Sequence, residues 1–261
     1  MPRLTASLIE TSPSRFNPLG QWEISLREQR IPAIENLSTH NLPNTYECID
    51  LSCNAIAHFG NFPSNMCQKD GKVRSLLLCK NGIRGLDNSE RLKRGLYGLK
   101  ILSLEENKVE RLSDITMLGE ALSETLEDLV LIGNPVTRRQ YYRLYTIACI
   151  ASLKTLDYCR VTLKERNNAK RLLASAAGAA FLNDIKIEGK RAEKELKNGV
   201  QTFNPGEGGD VKEGYIANFT AEKKQKIKEM IAKAKSADEI ERIEESVRRG
   251  VFPGEDVVTQ K

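Results

Sequence analysis

The chain has 261 residues, enough for one or two domains with a substantial core. It is 40% apolar and 29% charged with a formal net charge of +5, which describes a water-soluble surface too mildly basic to specify an anionic partner. No apolar run reaches the length of a membrane span, and MPRLTASLIETSPS lacks the apolar centre of a signal peptide, so no membrane partner and a cytosolic or nuclear location are expected.

The first predicted element is a short helix over RLTASLIE, where Leu4, Leu8 and Ile9 fall at helical spacing. Beyond it the pattern LxxLxLxxNxL fits YECIDLSCNAI (46–56), VRSLLLCKNGI (73–83), LKILSLEENKV (99–109) and LEDLVLIGNPV (126–136). Their asparagines, Asn54, Asn81, Asn107 and Asn134, are 27, 26 and 27 residues apart. WEISLREQRI (22–31) is a degenerate first copy with Gln29 in the asparagine place, and LKTLDYCRV (153–161) is a closing half-copy. At this period each unit is one strand with a return segment, and it buries its apolar face only against a neighbour. The expected fold is therefore α/β: a leucine-rich-repeat solenoid of about five repeats with N- and C-terminal caps, followed by a helical tail.

In the LxL alternation the leucines point inward and the residues between them face the concave surface. That register gives a protein-binding set of Arg27, Asp50, Ser52, Leu77, Cys79, Lys80, Ser103, Glu105, Glu106, Val130 and Ile132 as exposed positions. The asparagine amide can bond main-chain groups where the chain leaves the strand. The helix over RLTASLIE should cover the front of the stack. At the back, Tyr142, Tyr145, Ile147 and Ile150 after Asn134-Pro135 should close it. Arg138, Arg139 and Arg143 interleave with those tyrosines on the other face, as either a solvated surface or a phosphate-contacting one. Residues 138–171 carry nine Lys/Arg against two acids, a local +7.

Thr162-Leu-Lys-Glu165 is a capping box that opens a basic helix predicted over 163–198. Leu172, Leu173, Ala176, Ala180, Phe181 and Ile185 supply its apolar side, with Gly178 and Gly189 weakening it. QTFNPGEGG interrupts regular structure, giving an extended linker over 199–219 in which Phe203 is either an incidental loop residue or an anchor for a partner. Thr220 and the box Ser236-Ala-Asp-Glu239 then predict a helical hairpin over 220–254, stopped by Gly250 and Pro253. The repeat domain with its caps is read as 1–162.

The six cysteines form no CxxC pair and only His40 and His58 accompany them, so neither a metal nor any other cofactor is expected and the thiols read as reduced and structural. There is no phosphate-cradling glycine loop and no GxSxG. Asp157 stands alone and reads as a turn or cap acid. A non-catalytic scaffold fits these absences better than an enzyme.

The ordered combination of RLTASLIE, IPAIENL (31–37), NPVTRRQYYRLY, LKTLDYCRVTLKER (153–166), TFNPG (202–206) and the terminal hairpin through FPG (252–254) resembles the A-prime family of the U2 small nuclear ribonucleoprotein, nearly end to end. The resemblance implies a nuclear protein of pre-mRNA splicing. It implies pairing through the concave face with the RNA-recognition-motif (RRM) protein B-double-prime, support for binding of a U2 snRNA stem-loop, and contacts of the tail with other spliceosomal proteins. Carried over residue by residue, Arg138, Arg139 and Arg143, with Lys164 and Arg166, would face the RNA stem. Longer spacers at 60–72 and 113–125 depart from the family pattern. The repeats alone also suit a regulatory scaffold of a nuclear phosphatase or a histone-binding complex; those families lack TFNPG or carry a long acidic tail.

Overall fold

A computed structural model describes residues 3–38, 42–64, 66–67 and 71–199. The predicted linker and hairpin, Phe203 and TFNPG included, lie outside the described residues.

The front of the stack is built as expected and then extended. Helix α1 (Ala6–Thr11) is capped by the Thr5 hydroxyl, which accepts from Leu8 N at 3.2 Å, and it buries Leu4 and Ile9. Strand β1 (Ser14–Phe16) pairs antiparallel with β2 (Trp22–Ser25), a hairpin that the repeat pattern does not announce. Next come the short helix α2 (Leu42–Thr45), β3 (Cys48–Asp50), β4 (His58–Phe59), β5 (Ser75–Leu77), β6 (Gly85–Leu86) and helix α3 (Ser89–Leu96). They are followed by β7 (Ile101–Ser103), helix α4 (Leu112–Leu122), β8 (Asp128–Val130), a 3-10 turn at Pro135–Arg138 and helix α5 (Tyr142–Cys149). Strands β9 (Thr155–Leu156) and β10 (Cys159–Arg160) close the arc.

The principal sheet has eight strands in the order β1-β2-β3-β5-β7-β8-β9-β10. Its interior pairings are parallel, and antiparallel hairpins finish both ends, so neither end presents a bare parallel strand. Ile24, Ile49, Leu76, Leu102, Leu129 and Leu156 sit at matching positions of successive strands with no exposed surface. The spacer 113–125 holds most of α4, whose Ile115, Leu118 and Leu122 are buried.

The asparagines join the repeats. Asn81 Nδ2 donates to Leu51 O (3.1 Å) and Leu78 O (3.0 Å), while its Oδ1 accepts from Ile56 N (3.1 Å). Asn54, Asn107 and Asn134 repeat this pattern one unit away each, and Asn54 reaches Leu26 O in the degenerate first copy. Gln29 stays on the surface, with its amide on Arg27 O. At the last unit Asp157 takes over the acceptor half of the role, receiving Leu131 N (2.8 Å) and the Tyr142 hydroxyl (2.9 Å). It is the turn acid that the sequence suggests.

The helix expected over 163–198 is two helices, α6 (Leu163–Ala174) and α7 (Ala176–Gly199). Ser175 divides them: its hydroxyl donates to Leu172 O (2.7 Å) at the end of α6 and accepts Gly178 N (3.1 Å) at the start of α7. Gly178 is there for clearance, since a Cβ on it would stand 1.9 Å from Leu172 O. The corner turns α7 back to pack on both α6 and α4. The predicted apolar side is accordingly split, with Ile185 buried but Ala176 and Ala180 exposed. The capping box forms as expected: Thr162 Oγ1 accepts from Glu165 N, and Glu165 Oε2 accepts from Thr162 N.

Candidate functional site

The strand registers align three rows of side chains across the concave face. The first row is Glu23, Cys48, Ser75, Ile101, Asp128 and Thr155. The second is Ser25, Asp50, Leu77, Ser103 and Val130. One alternation further along each chain come Arg27, Ser52, Cys79, Glu105 and Ile132. Glu28, Cys53, Lys80, Glu106 and Gly133 then turn the chain out with φ of 59°, 59°, 54°, 52° and 81°. Lys80 and Glu106 therefore belong to the rim, where their side chains meet at 3.9 Å.

Four members of the expected exposed set are not exposed. Asp50, Ser52, Ser103 and Val130 are 3%, 0%, 6% and 7% accessible. Neighbouring parallel strands stand only about 4.8 Å apart, so small residues in the middle rows are roofed by longer ones beside them. Arg27 does this to Asp50, with Nη1 3.3 Å from Oδ2, a contact that raises the guanidinium pKa. Asp50 Oδ1 also accepts from Ser52 N at 2.9 Å. Leu77, Cys79 and Glu105 are half-buried; Arg27, Lys80, Glu106 and Ile132 are exposed. The set is thus a floor with a rim.

Two parts of this surface escape the sequence pattern as first applied. The opening row, with Ser25, is found by extending the same alternation one step earlier in each repeat. Tyr158 gives no such signal. It is 66% exposed and comes from the closing half-copy, yet its hydroxyl donates to Glu105 Oε2 at 3.1 Å.

The basic cap is divided in a way the sequence does not reveal. Tyr142, Tyr145, Ile147 and Ile150 are buried and close the stack, as their spacing predicts. Phe181 of α7 meets the rings of Tyr141 and Tyr145 edge-on at 5.5 and 5.4 Å. Arg143 does not lie on a solvated face. Its Nε donates to Glu165 Oε1 (2.7 Å) and Nη1 to Leu156 O (3.0 Å), while Nη2 approaches Arg160 O (3.3 Å). This bond holds the Glu165 carboxyl down at about 2 and raises the Arg143 guanidinium. Arg166 also turns inward, donating from Nη2 to Leu153 O. Arg139 forms an ion pair with Glu188 of α7 at 2.8 Å. Arg138 and Lys164 are exposed and make no ion pair among the described residues. Of the five cap residues expected to face an anion, two are therefore internal ties, one is paired and two are open.

Among the described residues no group of His, Cys, Asp and Glu is placed to hold a metal, and no helix is long and apolar enough to cross a membrane. The described geometry is an arc with a largely buried concave floor and a charged rim.

Comparison with known proteins places the chain. A family model described as leucine-rich repeat matches residues 1–186. The U2 small nuclear ribonucleoprotein A' of Neurospora crassa is 35% identical over 252 residues, covering 96% of this chain and 94% of that protein. The protein of the same name from Schizosaccharomyces pombe is 34% identical, covering 96% of this chain and 99% of that one. The human protein is 33% identical, with coverage of 97% and 91%. The crystal structure of the Drosophila melanogaster SNF/U2A' complex superposes with a TM-score of 0.64 at 29% identity, over 70% of this chain and 99% of that one. With its repeat arc, its caps and its near full-length match to these relatives, the chain belongs to the U2 small nuclear ribonucleoprotein A' family, leucine-rich-repeat scaffold proteins that are not enzymes.

Proposed function

We propose that this scaffold holds a helix of the RRM protein B-double-prime on its concave face, and that the pair binds a stem-loop of U2 snRNA in the nucleus during pre-mRNA splicing. The observation that carries the reading is the make-up of the floor. Leu77, Val130 and Ile132 are the apolar members of the last two rows, with Ser103 between Leu77 and Val130, Asp128 one row before them, Glu105 and Glu106 beside Ile132 towards the rim, and Arg27 at the far end. Such a set suits the apolar side of an amphipathic helix, and the charges fix its direction. The likeness to the SNF/U2A' complex, a leucine-rich-repeat protein solved with a partner, supports the same reading. RNA enters through the cap: Arg138 and Lys164 offer phosphate contacts that read little sequence, leaving base recognition to the partner's aromatic sheet. Contacts of the segment beyond residue 199 with other spliceosomal proteins belong to this reading too.

The test replaces Ile132 by Arg on the exposed part of the floor and measures binding of the purified RRM partner by calorimetry. A loss of tenfold or more is expected, the size of one disrupted anchor (about 1.4 kcal/mol). Unchanged affinity would remove the concave face from the interface.

A further inference from the structure

Arg139 is neutralised by a carboxylate far along the chain, on α7. Glu188 of α7 divides its carboxylate between two partners. Oε1 meets Arg139 Nη2 at 2.8 Å, while Oε2 accepts Leu112 N (2.9 Å) and Ser113 N (3.3 Å) at the start of α4. Of these donors the guanidinium is the one suited to a phosphate, while the two N–H groups tie α7 to the start of α4. Arg111, Asp184, Ile187 and Arg191 line a cavity of about 530 Å³ alongside, so an incoming phosphodiester has room to approach.

The clasp is also held against a like charge. Asp114, 4% exposed, lies under it, and its Oδ2 has no hydrogen-bond partner among the described residues. Ser113 Oγ, equally buried at the same junction, has none either. The beginning of α7 has independent support, because Phe181 packs on Tyr141 and Tyr145 and Ile185 is buried. Letting go of Glu188 need not release that part.

We propose that Glu188 occupies the place of an RNA phosphate on Arg139, so that RNA binding at the cap exchanges one for the other and loosens α7 from the start of α4. This rests on the reading that the cap faces RNA. In this exchange the Arg139 charge, beside the open Arg138, becomes available only when a phosphate competes for it.

The experiment uses the full chain with the RRM partner and the U2 stem-loop. Glu188→Gln should tighten RNA binding roughly two- to fivefold, the worth of one exposed ion pair, with little change in the log–log salt slope, because Arg139 meets the phosphate in both proteins. Adding the Glu188→Gln change to Arg139→Gln should give no such gain. In the unmodified protein, RNA should speed amide exchange at Leu112 and Ser113, a readout that does not depend on how any variant folds. If Glu188→Gln leaves affinity unchanged or lowers it, or RNA leaves those amides as protected as before, while Arg138→Glu weakens binding, the exchange is wrong and the cap reading survives. If Arg138→Glu is also without effect, the cap reading falls and takes the exchange with it.

Discussion

At Asn81 a single side chain bonds four main-chain groups drawn from two repeats, three of them shut off from water. Asn81→Ala leaves Ile56 N without a partner and takes one of two donors from Leu51 O and Leu78 O, which Asn54 and Asn107 still reach, so a loss of about 1–3 kcal/mol is expected in urea unfolding. Gln29→Ala, at the corresponding place in the first copy, should cost almost nothing, because its amide bonds only one exposed carbonyl. Asp114 presents the opposite case, a buried charge. Burial pushes its carboxyl up to about 7; the Arg111 charge opposes this and Glu188 adds to it. A folded-state value above the ordinary carboxylate range means that folding favours the protonated form. The contribution of this group to stability is then fullest below about pH 4, falls as pH rises from about 4 to 7, and stays reduced above that. Asp114→Asn should raise the melting temperature at pH 8, less at pH 5, and hardly at all below about pH 4, with about 2–4 °C for each kcal/mol recovered.

Between elements, the corner of α6 and α7 decides where the basic helix goes. Gly178 has no room for a Cβ beside Leu172 O, whereas Gly189 would place one at an ordinary 3.5 Å from Ser113 Cβ. Gly178→Ala should therefore detach α7, read as new protease cleavage near Ser175. Gly189→Ala should be tolerated and gain about 0.5–1 kcal/mol of helix propensity. The sequence shows two glycines that weaken one helix; only the turn distinguishes the one that is needed. The same holds for Arg143 and Arg166, whose spacing among tyrosines looks like a charged outer face. Nothing in that spacing signals that Glu165 and the carbonyls of Leu153 and Leu156 lie within reach, because these partners arrive with the closing half-copy and α6.

For the whole molecule, the consequence is that stability and binding separate within one basic run. Arg143→Ala removes the tie between α5, the closing strands and α6. It should lower the melting temperature by several degrees, consistent with a part-buried, charge-assisted contact of about 1.5–3 kcal/mol. Arg138→Glu should leave the melting temperature alone and reduce RNA affinity of the ternary complex at low salt more than at high salt. Equal thermal effects of the two substitutions would show that the cap does not divide its arginines in this way.

The sequence by itself determines the arc. A 26–27-residue period with LxL and Asn fixes the strands, their inward face, the asparagine ladder and the need for caps, since each of these depends on short-range spacing. It also carries the family, through motifs spread along the chain. The tertiary structure decides which polar residues remain available. Asp50, Ser52 and Ser103 pass from exposed to buried, Asp50 under Arg27 from the neighbouring repeat. Arg139, Arg143 and Arg166 are spent or spared according to carboxylates and carbonyls that other elements bring to them. Tyr158 enters the concave rim from the last strand pair by reaching Glu105. Periodicity specifies the direction a side chain leaves the backbone; what it meets there depends on chain segments that only folding brings alongside.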